Sequence, residues 1–128
     1  MSYYLSTRVS GSFQDTIPKV KEALKAEGFG VLTEIDVKAT LREKLDVQFP
    51  DYVILGACNP GYAHRALRAE PHVGVMLPCN VVVQETASGQ VEVSAMDPVA
   101  AMQAVDNPDL AQIAAEVKEK LQRAIEKL

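Results

Sequence analysis

Near the end of the chain, Leu110, Ile113, Val117, Leu121, Ile125 and Leu128 recur every three or four residues. That spacing puts them on one stripe of a helix. Asn107-Pro108 precedes the stripe, and asparagine is a preferred helix cap while proline is preorganised for the first helical position. Glu116 and Lys120, and Glu119 and Arg123, stand four apart and are expected to add about 0.3 kcal/mol each. A helix that is apolar along one stripe has to bury it against a second layer. The rest of the chain must supply that layer.

It reads as strands. Tyr3, Leu5, Thr7 and Val9 alternate with polar or exposed positions, the period of a half-buried strand. Gly11-Ser12 breaks the pattern, and Phe13, Ile17, Val20 and Leu24 then fall at helical spacing, with Gly28 suited to the C-terminal cap. Pro18 leaves two starts open for this helix, Ser12 or Asp15, because only the first turn tolerates a missing amide without loss. Val31, Thr33, Ile35 and Val37 form a second alternating run, and Ala39 to Leu45 a short polar helix. The stretch from Tyr52 to Ala57 is continuously apolar and predicts a strand buried on both faces or nearly so.

Asn59-Pro60 opens another helix whose inner face, Ala63, Ala66 and Leu67, is narrow and mostly small. Pro71 stops it. Val73–Leu77 and Val81–Glu85 are strand-like on either side of Pro78-Cys79-Asn80. A proline cannot donate to a ladder, so this point predicts a bulge, a bend or an edge. Ser88-Gly89 marks a hairpin turn before Val91, Val93 and Ala95. Asp97-Pro98 starts a short helix, Val99 to Val105. The order of elements predicts a single α+β domain over residues 1–128, a two-layer sandwich with helices on one face of a mostly antiparallel sheet.

Charge narrows the function classes. The net charge is −4 and the isoelectric point about 5.1, opposite to the basic footprint that nucleic-acid binding requires. The opening MSYYLSTRVSG lacks the basic-then-apolar pattern of a secretion signal. The longest nearly apolar run, Val73 to Val83, has 11 residues, against the roughly 20 of a membrane helix. These features predict a cytoplasmic chain with no nucleic-acid or membrane partner, whose two cysteines are free thiols.

Chemistry concentrates between Asp51 and Asn80, which hold both cysteines and both histidines. Cys58 ends an apolar strand just before a helix, where a thiol reads either as a nucleophile activated by the positive end of the dipole or as a small buried hydrophobe. Cys79 reads either as part of a site on irregular backbone or as a residue in a simple bend. The spacing Cys58, His64, His72, Cys79 matches no zinc pattern, so no metal is expected. His64 lies more than a helical turn from Cys58, which weakens a Cys-His dyad. Capping accounts for Asn59, Asp97 and Asn107. Asn80 has no helix after it, so its amide is free for a backbone bend or a ligand. Tyr62 is placed to line a pocket. No phosphate loop, paired carboxylates or serine motif is present.

The blocks YVILGACNPGYAHRAL, VGVMLPCNVVVQE and VEVSAMDPVAAM resemble the domain of unknown function 302 family. In that resemblance Asn59, Pro60, Cys79, Asn80, Asp97 and Pro98 occupy motif positions, and Cys58 fits the pattern. It implies a two-layer fold of the TATA-binding-protein-like kind and a homodimer, but no activity, because function lives in sites rather than folds.

Three functions stay open. The first is a small-molecule-binding or regulatory module with a site formed by Cys58, Asn59, Cys79, Asn80 and Asp97. The second is a thiol enzyme or redox sensor using Cys58 or Cys79. The third is a dimeric interaction protein. The first is preferred, because it needs only a concave apolar site with a few polar groups. No catalytic residue and no cofactor is assigned. The strand ending at Cys58 and the turn at Cys79 are expected to be neighbours. Amides and a helix N-terminus at their shared end would favour an anionic or carbonyl group in the ligand.

Overall fold

The computed structural model describes residues 2–128. In chain order the elements are β1 (Tyr4–Val9), α1 (Phe13–Ala26), β2 (Gly30–Asp36), α2 (Val37–Leu45), β3 (Tyr52–Cys58), α3 (Pro60–Ala69), a 3-10 segment (Pro71–Met76), β4 (Cys79–Glu85), β5 (Val91–Met96), α4 (Pro98–Ala101), a 3-10 turn (Met102–Ala104) and α5 (Pro108–Glu126). The strands form one sheet in the order β1-β5-β4-β3-β2, and every neighbouring pair is antiparallel.

Period-two alternation builds the inner face. Val83 of β4 stands opposite Val53 of β3 and Val93 of β5, and Val81 opposite Leu55 and Ala95. All six are buried. α5 covers the β1 and β5 side of this face and α1 the β4 and β2 side; Leu121 is fully buried and Leu110, Ile113, Val117 and Ile125 nearly so. Val20 and Leu24 of α1 complete the core. This is the α+β sandwich that the pattern implies.

Both ends of α1 are set locally. Ser12 is the cap, its hydroxyl accepting from the Asp15 amide at 3.0 Å, so Pro18 sits inside the helix, beyond its first turn, and costs α1 one backbone hydrogen bond. At the other end Gly28 takes a positive φ of 88°. The Gly28 amide donates to the Lys25 carbonyl and the Phe29 amide to the Leu24 carbonyl, a paired closure that requires the left-handed conformation at its glycine.

Three expectations are corrected, and one set of alternatives is narrowed. In β2 a bulge separates Val31, opposite Ala57, from Thr33, opposite Gly56. The extra residue reverses the alternation, so Thr33 and Ile35 share the outer face while Glu34 turns to the helix face and pairs with Lys21 at 2.6 Å; Val37 starts α2 instead of ending the strand. Residues Val73–Met76 belong to the 3-10 segment rather than a strand. Pro71 fixes its first turn, and few residues remain before Pro78 in which to build a ladder. Of the bulge, bend or edge expected at Pro78, the bend is what the backbone makes there; β4 lies at the centre of the sheet, so the point is no edge. Pro78 follows a cis peptide and precedes the first ladder residue, where it removes no ladder bond. Finally, the charges on α5 reach across rather than along the helix: Glu116 lies 3.8 Å from Arg65, and Arg123 3.0 Å from Glu27.

Leu121→Ala is expected to destabilise the domain by about 2–5 kcal/mol, as for other fully buried leucines. Denaturant unfolding checks this; a change under about 0.5 kcal/mol, typical of surface positions, would contradict the packing described.

Candidate functional site

The core does not fill the whole space between the layers. Beyond the ends of β3 and β4, four alanines replace larger side chains: Ala57 on β3, Ala63 and Ala66 on α3, and Ala114 on α5. Between them opens a cavity of about 340 Å³. Their small side chains are the local reason for it, since a leucine at any of these places would project into the space. Phe29, held by the Gly28 closure, and Val117 form part of the wall.

The expected adjacency of the two cysteine corners holds in the strand pairing. Ala57 stands directly opposite Cys79, so Cys58 is one residue beyond that pair. Both thiols are free and both line the cavity. Cys79 is buried, and burial pushes its thiol up to about 11, with the neighbouring Cys58 adding to the rise. At neutral pH it is an uncharged thiol, which argues against Cys79 as a nucleophile. His64 is exposed and outside the cavity wall, while His72 lies 3.5 Å from Glu70 on the surface. No group of three His, Cys, Asp or Glu side chains suited to a metal occurs among the described residues.

The polar site candidates separate. Asn59 lines the cavity, but its side chain does not cap α3. Its amide instead donates to the Glu27 carbonyl at 3.3 Å, tying the start of α3 to the end of α1. A Cβ on Gly28 would stand 3.1 Å from that same amide nitrogen. Asn80 is exposed, paired in the ladder opposite Gly56, and is not part of the wall; regular strand alternation turns it to the outer face, away from Cys79. Asp97 is also outside the wall, although its neighbours Met96 and Pro98 belong to it.

Asp97 is a buried corner post. Its carboxylate accepts from the Val99 and Ala100 amides at 2.9 and 3.3 Å and meets the Lys118 ammonium at 2.9 Å. Burial pulls its carboxyl upward, but the bonds from Lys118, Ala100 and Val99 outweigh burial and hold it below the usual carboxylate range. The end of β5 is thereby fixed to α5. Asn107 makes a third tie: its carbonyl oxygen accepts from the Asp109 amide, and its amide donates to the Ala69 carbonyl at 3.0 Å.

Tyr62 lines the cavity as its sequence position suggests, with Arg65 lying over its ring. Met76, Met96 and Met102 line it too. They escape a reading that looks for polar chemistry, and their own positions signal only that they are apolar. The small-residue face of α3 is the sequence signal that a gap exists.

Fold and site together define a two-layer α+β domain with an apolar, thiol-bearing cavity at one end of its antiparallel sheet. The chain belongs to the family described as "Domain of unknown function DUF302", which matches residues 5–128. It is similar to the crystal structure of an uncharacterized conserved DUF302 protein from Bacillus stearothermophilus, at 33% identity and a TM-score of 0.92, covering 99% of this chain and 98% of that one. It is also 30% identical over 81 residues to an uncharacterized protein of Aquifex aeolicus (strain VF5); the match spans 63% of this chain and 50% of the relative. Among the described residues, no helix is long and apolar enough to cross a membrane.

The lowered Asp97 carboxyl has a consequence for acid stability. Its contribution is fully present above the ordinary value of 3.8 and is lost as the pH falls through the lower folded-state value. Asp97→Asn should therefore flatten this part of the acid limb in a plot of unfolding free energy against pH. Parallel acid limbs in the two chains would show that Asp97 does not carry it.

Proposed function

We propose that this domain is a small-molecule-binding module, regulatory rather than catalytic, whose ligand enters the cavity between the end of the sheet and α3 and α5. The single observation that carries this reading is the cavity. Its volume of about 340 Å³ falls within the range of small-ligand sites, and its wall is almost wholly apolar. Such a wall favours a ligand with an apolar body. The polar features beside it are Thr33 and the uncapped first turn of α3, which suit one carbonyl or anionic end group. Medium-chain carboxylates and ketones have that form. A thiol enzyme is the less favoured reading, because the wall offers no histidine or carboxylate as a base.

Octanoate and 2-octanone are expected to raise the melting temperature of the chain, and Ala114→Phe, which fills the cavity, to abolish the rise. A ligand at a hundred times its dissociation constant would stabilise by about 2.7 kcal/mol. Equal shifts in the wild-type chain and Ala114→Phe would place binding elsewhere and refute the assignment.

We also propose that two copies pair through the sheet face that α1 and α5 leave bare. Ile35, Ile54 and Val82 stand side by side across β2, β3 and β4 on that face. Ile35 is 47% exposed. A row of apolar side chains across three strands is a reasonable seat for an identical row. Sedimentation equilibrium should give a dimer mass for the wild-type chain and a monomer mass for Ile54→Glu. A wild-type monomer at high micromolar concentration would refute the pairing.

A further inference from the structure

One segment of the chain buries almost nothing. Across residues 38–50 every side chain is exposed except Leu41, which is half-buried. The segment holds most of α2, a helix of nine residues with none buried, and the loop that returns to β3. A helix this short is marginal in water unless an apolar face packs on something. Yet Leu45, Val47 and Phe49 are 66%, 43% and 39% exposed. This arm leaves the sheet after Asp36 and rejoins it at Tyr52, where the Phe49 ring meets the Tyr52 ring edge-on at 5.9 Å. Tyr52 lies two residues before Ile54 on β3 and so shares the bare sheet face with it. The arm therefore stands at one end of that face.

The cavity is unfinished at the other end. Thr33 and Cys58, both on the bare face, line it, and its rim residues Leu32 and Leu67 are 68% and 42% exposed. Beside them Gly56 lets Thr33 and Pro78 lie flat across β3: a Cβ there would stand 2.9 Å from Pro78 Cγ and would collide with the Thr33 hydroxyl.

We infer that the arm of a second copy closes the cavity on this face, so that each site is completed by the partner's Phe49; the inference rests on the face pairing proposed above. The strand registers show why a second copy fits. Ser6, Ser94, Val82, Ile54 and Ile35 form one row across the bare face. Arg8, Gln84 and Tyr52 stand in the row on one side of it, and Tyr4, Asn80 and Gly56 in the row on the other. A two-fold axis along the first row turns each strand end for end above its own copy. It sets Val82, Ile54 and Ile35 on themselves, Arg8 over the Tyr4 ring, Gln84 over Asn80, and Tyr52 over the flat patch at Gly56. Apolar meets apolar, cation meets ring, and no charge faces its like. An axis along β4 would instead set Ile54 on Ser94 and Ile35 on Ser6, and one along β3 would leave β1 and β5 uncovered. Packed sheets lie about 10 Å apart and within about 30° of alignment, so the match survives their twist over these few residues. The partner's Phe49, beyond its Tyr52, then falls over Cys58 and the rim. An arm that merely tolerates exposure makes no such contact.

The experiment is a disulfide trap with Phe49→Cys. Tyr52 and Cys58 end one strand of seven residues, about 20 Å long at about 3.3 Å per residue. Disulfide partners need Cα atoms within about 7 Å, so a bond from position 49 to Cys58 joins two copies. Diamide supplies the oxidation, taking up both thiol hydrogens as the bond forms. Most of the Phe49→Cys chain should run as a covalent dimer on a non-reducing gel, with peptide mass spectrometry finding the new thiol bonded to Cys58. Adding Cys58→Ser should abolish the dimer and adding Cys79→Ser should not, while Gln122→Cys, exposed on the helix layer, should give none. Independently of any trap, Phe49→Glu should raise the dimer dissociation constant at least about tenfold by sedimentation. A wild-type monomer would overturn this inference together with the face pairing. A wild-type dimer that forms no bond to Cys58, a bond that persists in Cys58→Ser, equal trapping by Gln122→Cys, or an unchanged dissociation constant would overturn this inference and leave the face pairing standing.

Discussion

Everything in this domain depends on the contact between the α5 stripe and the inner valines of the sheet. Val81, Val83, Val93 and Leu121 are all fully buried in one core cluster, to which α5 contributes from the β1 and β5 side and α1 from the β4 side. Burial of such side chains contributes about 1.5–3 kcal/mol each relative to exposure. The core is densest along the middle of β3, β4 and β5 and gives way to alanines toward the ends of β3 and β4. Where α5 changes from Val117 to Ala114, and where α3 presents Ala63 and Ala66, the two layers stay apart because the wall is too small to bridge them. The cavity is a continuation of the core with part of its side-chain volume missing.

A gap of this kind would tend to collapse unless its walls were tied at their corners. Three Asx-Pro pairs supply ties, and only part of their role is capping. Asn107 caps α5 and also holds the Ala69 carbonyl at the end of α3. Asp97 caps α4 and also binds Lys118 of α5. Asn59 gives up capping altogether and binds the Glu27 carbonyl at the end of α1. Glu27 strengthens the same corner. Its carboxylate meets Lys127 and Arg123 at 3.0 Å each, and those bonds hold it below the usual carboxylate range. Asn59, Asp97 and Asn107 are thus occupied in joining one wall element to another, which explains how an almost wholly apolar interior keeps a defined shape.

Most of the fold was legible because periodicity reports burial directly. The α5 stripe, the alternation in β5 and the continuous apolar run of β3 each show in the sequence the face they bury. β2 misleads because a bulge after Val31 exchanges its two faces, and no residue type there announces the extra position. Val73–Met76 misleads because a short apolar run fits a strand or a turn equally well, and the prolines on both sides decide it. In the site, Cys58 and Cys79 were legible as neighbours from connectivity alone. Asn80 was not legible: its isolation from any helix suggested a free amide in a site, yet strand alternation turns it outward. Asp97 and Asn107 read as caps, and their second partners lie far along the chain, beyond the reach of local patterns. The methionines carry no local signal at all, because their place beside the cavity is set only by where three separate elements lie in the fold.

The apolar wall determines how this site could discriminate among ligands. A surface site selects by charge, at a range set by ionic strength. Here charged groups at the corners of the cavity are already paired, Asp97 with Lys118 and Glu27 with Arg123 and Lys127, so they have little field left to direct into it. In the proposed reading, size remains as the property the wall would read. An apolar chain of the right length gains contact with the alanines and with Phe29; a hard ion would lose its hydration and find no oxygen cluster to replace it. The uncharged thiol of Cys79 fits the same logic, since an ionised group there would need a partner that the wall does not contain. In the proposed reading a ligand would meet sulfur, methyl groups, Thr33 and the amide end of one helix, a restriction imposed by the small side chains that open the space.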